Sequence, residues 1–299
     1  MQKSFEHLEQ CPACGYSETV TAIVVQDFTV SQDRFTLVKC TFCNLLFTNP
    51  RPTEAEIGPY YQSEEYISHT NSRKGFLNGV YQWARGRAIS SKINLIESLN
   101  STPRSLLDYG CGTGEFLSAA RKKGWVCAGL EPDDGAREQA KTNHGLNVER
   151  PIKLWDLPDG QFGVITLWHV LEHVHRLNET VQQLVRCLSS QGRLLIAVPN
   201  CLSHEARHYG EYWAAYDVPR HLYHFSRSPI LKLMGKNGLE PEFIKPLFFD
   251  PFYISLLSEK YKTGKSNPVT AAWQGLKTTL AGRKNMDENS SLLYVFKKK

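Results

Sequence analysis

The pentad His169-Val-Leu-Glu172-His173 sets two histidines and a glutamate in the order H-x-x-E-H. Such an order can hold zinc between two imidazoles and use the carboxylate as a base for peptide hydrolysis. That chemistry needs both histidines on one long helix. Here the first follows Val164-Ile165-Thr166-Leu167-Trp168, a run that reads as a buried parallel strand. The pentad is therefore read as a strand exit rather than as a peptidase centre.

Eight cysteines offer a second kind of chemistry. Four of them form two C-x-x-C pairs, Cys11 with Cys14 and Cys40 with Cys43. The chain begins MQKSFEHLEQC, without an apolar export segment. In that setting paired C-x-x-C reads as metal ligation rather than as disulfides. Two such turns close a four-sulfur zinc site with no open coordination position, which makes its role structural. VTAIVVQDF and RFTLVKC flank TVSQD between the pairs, and this pattern predicts a hairpin. A module of about 50 residues buries too little to stand without a staple. Cys111, Cys127, Cys187 and Cys201 are scattered singly and are expected to act as small buried hydrophobes.

The third chemical element is SLLDYGCGTGEFLSAARKKG. A short apolar run ends in Asp108, Gly110, Gly112 and Gly114 alternate, and a helix starts at Glu115. Strand, glycine loop and helix place a ligand site at the carboxyl end of a sheet strand. The dinucleotide pattern G-x-G-x-x-G fails, because Glu115 stands where its third glycine would be. A carboxylate there repels a pyrophosphate. Asp108 and Glu115 instead suit a ligand carrying an amino group and a sulfonium. The next strand, in GWVCAGLEPDD, ends in Glu131, which can accept both hydroxyls of a ribose.

With these residues the chain resembles the class I S-adenosylmethionine-dependent methyltransferases. LDYGCGTGEF is similar to their first motif and GLEPD to the acidic end of their second strand. LPDGQFGVITLWHVLEHV resembles their fourth-strand segment, with Gly163 where an aspartate is expected. The resemblance covers roughly residues 101–247 plus a closing strand, SLLYVF, at 291–296. It implies an α/β fold, with a Rossmann-like seven-stranded sheet, preceded by a small zinc-ribbon module. S-adenosylmethionine is the implied cofactor, beside structural zinc. The implied donor-binding residues are Asp108, Gly110, Gly112, Gly114 and Glu131, with Trp168 and His169 at the fourth-strand exit. Asp156 is a weak candidate for the adenine contact.

Three readings of Glu172 and His173 stay open. In some O-methyltransferases E-x-x-E-H and a distal histidine hold a divalent ion, but His169 replaces the first acid here. Alternatively the two residues orient the loop after the strand and leave His175 exposed, or one of the histidines acts directly. Downstream, DVPRHLYHFS crowds Asp217, Arg220, His221, Tyr223 and His224 into one loop. It is similar to the HEHLSYFS loop of zinc-containing sugar C-methyltransferases, with His221 at the base histidine and Arg220 and Pro219 as departures. Histidine titrates near working pH, so His221 is the chosen general base, with Glu172 and His173 as its catalytic companions, and the alternatives for His221 are a structural loop histidine or a metal ligand.

Around these elements the expected organisation is a zinc ribbon over 1–50, a linker and helical segment over 51–100, and the methyltransferase domain over 101–299. The second segment holds Tyr60, Tyr61, Tyr66 and Tyr81, and its stretch 75–99, apolar at helical spacing, is read either as helices packing on the next domain or as a wall of the substrate pocket. A helical insertion at about 248–290 either covers the acceptor site or forms a homodimer face. The charge of +5, from 35 basic and 30 acidic residues, is mild and dispersed, so nucleic acid is not the expected partner. No run approaches the ~20 apolar residues of a membrane span, and a cytoplasmic protein is expected. The expected reaction is methyl transfer to a small polar acceptor such as a nucleotide-linked sugar. The alternatives are an RNA or protein methyltransferase docked by its zinc ribbon, and an inactive zinc-ribbon binding protein.

Overall fold

The computed structural model describes residues 4–62, 76–247 and 250–299, with the side chains of 76–85 excepted. Tyr66 and the side chain of Tyr81 lie outside the described residues. The chain begins with β1 (Phe5–Glu6), β2 (Thr19–Gln26), β3 (Arg34–Cys40), β4 (Leu46–Thr48) and β5 (Arg51–Pro52). After a helix at Phe76–Ser98 come β6 (Ser105–Tyr109), β7 (Val126–Leu130), β8 (Val148–Glu149), β9 (Phe162–Trp168) and β10 (Leu188–Pro199). β11 (Tyr223–His224), β12 (Leu239–Pro246) and β13 (Ser291–Lys298) follow.

The central sheet has seven strands in the order β12-β13-β10-β9-β6-β7-β8. β13 runs antiparallel to β10 and β12, while the pairs from β10 to β8 are parallel. This is the Rossmann-like seven-stranded sheet that the resemblance implies. Successive residues of a strand face opposite sides of a sheet. Leu106 and Val164 accordingly enter one apolar cluster, with Ile96, Phe116 and Leu117, and Leu107 and Ile165 enter another, with Val181 and Leu184. Helices Glu115–Lys122, Asp134–His144, Leu177–Cys187 and Arg227–Lys236 alternate with the strands, so both faces of β6 and β9 are dry.

The unexpected Gly163 has a steric cause. A Cβ at that position would sit 1.9 Å from the carbonyl oxygen of Pro103. The strand start is packed against the turn that leads into β6, and no aspartate fits there. Ser105 Oγ accepts the Gly163 N–H at 3.2 Å instead.

β2 and β3 form the expected antiparallel hairpin. Their sheet is completed by a strand from far downstream, in the order β11-β4-β3-β2. Tyr223 and His224 pair with Phe47 and Leu46. The cysteine-bearing segment also shares its core, because Cys40, Leu45 and Phe47 pack in one cluster with Leu222, Tyr223 and Phe225. Between β12 and β13 the chain forms helices Asp250–Thr263 and Pro268–Lys284, which pack on each other. Among the described residues no helix is long and apolar enough to cross a membrane.

Candidate active site

One half of the site grows from the β6–β7 edge. Asp108 is the penultimate residue of β6, and its carboxylate is buried beside Thr166 across the β6–β9 pair. Thr166 Oγ1 donates to Asp108 Oδ1 at 2.6 Å. Burial outweighs that bond and pushes the carboxyl up to about 6. The chain then turns through Gly110, with φ of +78°, and an added Cβ there would meet Val170 Cγ2 at 2.4 Å. Gly112 has φ of +55° and open space where its side chain would be, so a ligand can approach its backbone. Its N–H donates to Glu131 Oε2 at 2.8 Å, and Asp133 N–H donates to Oε1 at 3.0 Å. Glu131 at the end of β7 therefore ties the glycine loop to the neighbouring strand, and burial raises its pKa.

Trp168 closes this half. Its ring meets Phe116 edge-on at 5.8 Å, and the Lys92 ammonium lies 4.2 Å from the ring centroid. Asp156, by contrast, is exposed and pairs with Lys153 at 3.3 Å. It does not join this group.

The other half begins at the exit of β9. His169 has φ of +58°, a left-handed residue that ends the strand. A single 3-10 turn follows, Leu171–His173, so His169 and His173 do not share a helix. His169 turns to the carboxylates of Asp250, 3.2 Å from Nε2, and Glu172, 3.6 Å from Nδ1. Burial alone would depress its pKa, but the two acids raise it to about 10.

Glu172 is wholly buried, and neither carboxylate oxygen has a hydrogen-bond partner among the described residues. Beside it stand two imidazoles from distant parts of the chain. His173 Nδ1 lies 2.9 Å from the carbonyl oxygen of Arg220 and 3.0 Å from Tyr61 Oη. His221 Nδ1 lies 2.8 Å from the carbonyl oxygen of Ala215. A carbonyl can only accept, so each Nδ1 carries a proton. The rings are 4.6 Å apart, edge to face, and one donor atom each from Glu172, His173 and His221 fall within 4.8 Å of one another. Burial, then the neighbouring His221, drops the pKa of His173 to about 4.

The loop bearing His221 is anchored from below. Arg220 is buried, with Nη2 at 3.0 Å from Asp27 Oδ1 and 2.7 Å from Asp217 Oδ1, and Nη1 donating to the Tyr60 carbonyl at 2.8 Å. Leu222 N–H donates to the Glu172 carbonyl at 2.8 Å and so stitches the loop to the 3-10 turn. Sequence reasoning picks out Arg220 only as a departure from a motif, and it misses Asp27 and Asp250 altogether. Tyr61 was legible only as one member of a tyrosine-rich stretch. His175, expected to be exposed, is half-buried, with Nε2 3.1 Å from the Pro52 carbonyl. That backbone acceptor and the neighbouring Arg51 explain the difference.

The four N-terminal cysteines converge apart from this site. Cys11 and Cys43 sulfurs are 3.4 Å apart, and those of Cys14 and Cys40 are 3.6 Å apart. A tetrahedral ion with Zn–S bonds of ~2.3 Å requires sulfur separations of about 3.8 Å, so the donor set fits zinc. Cys111 and Cys187 are buried and Cys127 and Cys201 half-buried, which accords with the apolar role expected of them.

A family model described as "Methyltransferase domain" matches residues 81–242. The ubiquinone biosynthesis O-methyltransferase of Idiomarina loihiensis is 25% identical over 171 residues, which cover 52% of this chain and 70% of that protein. The ajmaline N-methyltransferase of Rauvolfia serpentina is 28% identical over 106 residues, 31% of this chain and 35% of that protein. Among solved structures, magnesium protoporphyrin IX methyltransferase from Synechocystis with bound SAH aligns with a TM-score of 0.53 at 13% identity. That alignment covers 83% of this chain and 100% of the other, and it speaks for the fold.

Proposed function

The chain belongs to the methyltransferase-domain family and is an S-adenosylmethionine-dependent methyltransferase; we propose that its acceptor is a small polar molecule such as a nucleotide-linked sugar. Asp108, Gly110, Gly112, Gly114, Glu131 and Trp168 are assigned to the donor. The open face at Gly112 admits the nucleoside against backbone. Asp108 and Glu131 supply negative charge opposite a cationic ligand. His169, first read as part of the donor side, is reassigned to holding Asp250 and Glu172 in place. The four cysteines are assigned to a structural zinc ion.

The observation that carries the acceptor side is the convergence of His173, His221 and the buried Glu172 carboxylate, neither oxygen of which has a hydrogen bond among the described residues. Methyl transfer is an in-line displacement, for which the enzyme mainly aligns donor and acceptor. An acceptor hydroxyl must also lose its proton. In the centre without an ion, that proton passes to His221 Nε2, the acceptor oxygen takes the methyl group, and the C–S bond breaks to release S-adenosylhomocysteine. The His221 side chain is 12% exposed and Glu172 not at all. A single projecting group can reach this depth, and a small polar acceptor presents one.

The reading is tested by S-adenosylhomocysteine release on a panel of nucleotide-linked sugars, set against bulk RNA and protein. Release with the macromolecules alone would overturn the small-acceptor reading. With the accepted substrate, His221→Gln is expected to lower kcat by about 10²–10⁴-fold and to leave S-adenosylmethionine affinity by calorimetry unchanged. Unaltered turnover would remove His221 from catalysis.

A further inference from the structure

The residues of the acceptor centre support a more specific statement, which rests on reading that centre as the acceptor side. We propose that Glu172, His173 and His221 bind a divalent cation of the zinc class, and that the acceptor is an oxygen nucleophile which coordinates it.

Glu172 is the first argument. A carboxylate with no exposure and no hydrogen bond to either oxygen is costly to bury. His169 does not supply the missing bond, since its Nδ1 is 3.6 Å away and its shorter contact is to Asp250. A cation between Glu172 and the two imidazoles would meet the need.

The histidines are the second argument, and it is independent of the first. Both donate Nδ1–H to a backbone carbonyl, of Arg220 at 2.9 Å and of Ala215 at 2.8 Å. Ligating imidazoles are commonly fixed in this way, with the second nitrogen freed for the ion. The arrangement serves both rings at once, and it comes from backbone atoms that side-chain substitution would leave in place.

The donor set then selects the ion. Two imidazole nitrogens and one carboxylate suit zinc and its transition-metal neighbours, whereas magnesium and calcium favour oxygen. Bonds of ~2.1 Å require donor separations of roughly 3–3.5 Å. The three donor atoms lie within 4.8 Å, so shifts of about an ångström close the set. Three protein ligands leave a position open for substrate. A hydroxyl bound there loses its proton to water, its oxygen takes the methyl group from the sulfonium, and the C–S bond breaks to give S-adenosylhomocysteine. In the ion-bound centre His221 is a ligand, and its part as base belongs to the ion-free form.

Zinc per chain is counted by plasma mass spectrometry on the full chain, after loading with excess zinc and gel filtration. The expected result is a count one lower in Glu172→Gln, and one lower in His221→Ala, than in the native chain. Cys11→Ser should lower the count through the other cluster, which calibrates the loss of one ion. S-adenosylmethionine calorimetry on each variant reports whether the donor half is still folded. Equal counts in the native chain and in His221→Ala would overturn the cation site. A native chain with no S-adenosylmethionine affinity would sink the methyltransferase reading instead, whatever its zinc content.

Discussion

The two halves of the site, assigned above to donor and acceptor, are built in opposite ways. Asp108, the glycine loop and Glu131 lie within one stretch of chain, residues 108–131, which makes a strand, a helix and the next strand end. The acceptor half takes Glu172 and His173 from the exit of β9, His221 from a loop almost fifty residues later, and Tyr61 from the N-terminal side. Its anchor, Arg220, reaches Asp27 in the first hairpin. A local half can keep its shape while the remainder loosens. The acceptor half exists only when the N-terminal segment is docked, because β11 is a strand of that segment's own sheet. The cysteine cluster is thus tied by packing to the loop that carries His221, although it lies outside the site.

The largest expected effect comes where the halves touch. An added Cβ at Gly110 would lie 2.4 Å from Val170, next to the turn that carries Glu172, in a left-handed conformation that already disfavours a side chain. Gly110→Ala should cost about 3 kcal/mol in denaturant titration. It should lower both S-adenosylmethionine affinity and turnover, by tenfold or more each. Loss of only one of these would mean that the halves are not mechanically joined at this point.

Next comes a variant that separates them. Asp27→Asn keeps an acceptor oxygen for Arg220 but removes one charge from a buried ion pair, and the expected cost is about 3 kcal/mol at most. Turnover should fall roughly tenfold as the His221 loop loosens. Donor affinity should stay within twofold, since no residue of the donor half touches this pair. A parallel loss of donor affinity would break the distinction between the halves.

This division also explains what was legible in the sequence. The donor half follows from adjacency, because the glycines, Asp108 and Glu131 hold their positions through the strand–loop–helix pattern itself. The seven-stranded sheet was legible through the resemblance that this stretch carries rather than through the apolar pattern alone. The Glu172–His173–His221 convergence was suspected only through likeness to other loops, as spacing along the chain does not encode which carbonyls orient an imidazole. Asp27 and Asp250 carry no local signal at all. One is an acid at the end of a hairpin strand, the other an acid at the start of a helix, and their partners His169 and Arg220 are 81 and 193 residues away. His175 shows the same limit in reverse, since its burial depends on Pro52 and Arg51.

The smallest effect is a difference in pH dependence between the halves. Asp108 is buried, and its pKa is raised to about 6 although Thr166 and Lys92 oppose the shift. Between roughly pH 4 and 6 the unfolded chain has released this proton while the native chain retains it. Its contribution to stability is therefore present below pH 4 and is lost as pH rises through about 6. Asp27 behaves in the opposite sense. Burial would raise its pKa, but Arg220 and the Ser31 N–H hold it below the ordinary value. Its contribution is present above pH 4 and is lost as pH falls through the native pKa. Asp108→Asn should therefore gain on the native chain as pH rises, reaching about 2 kcal/mol at pH 7.5 and shrinking toward zero at pH 4. Thr166 can still donate to the amide oxygen, so the hydrogen bond need not be lost. Thermal melts of the ligand-free chain at pH 4.5, 6 and 7.5 measure this slope. A variant less stable than the native chain at pH 7.5 would show that Asp108 is held as a favourable anion, and that the donor half, like the acceptor half, is stabilised by its charges.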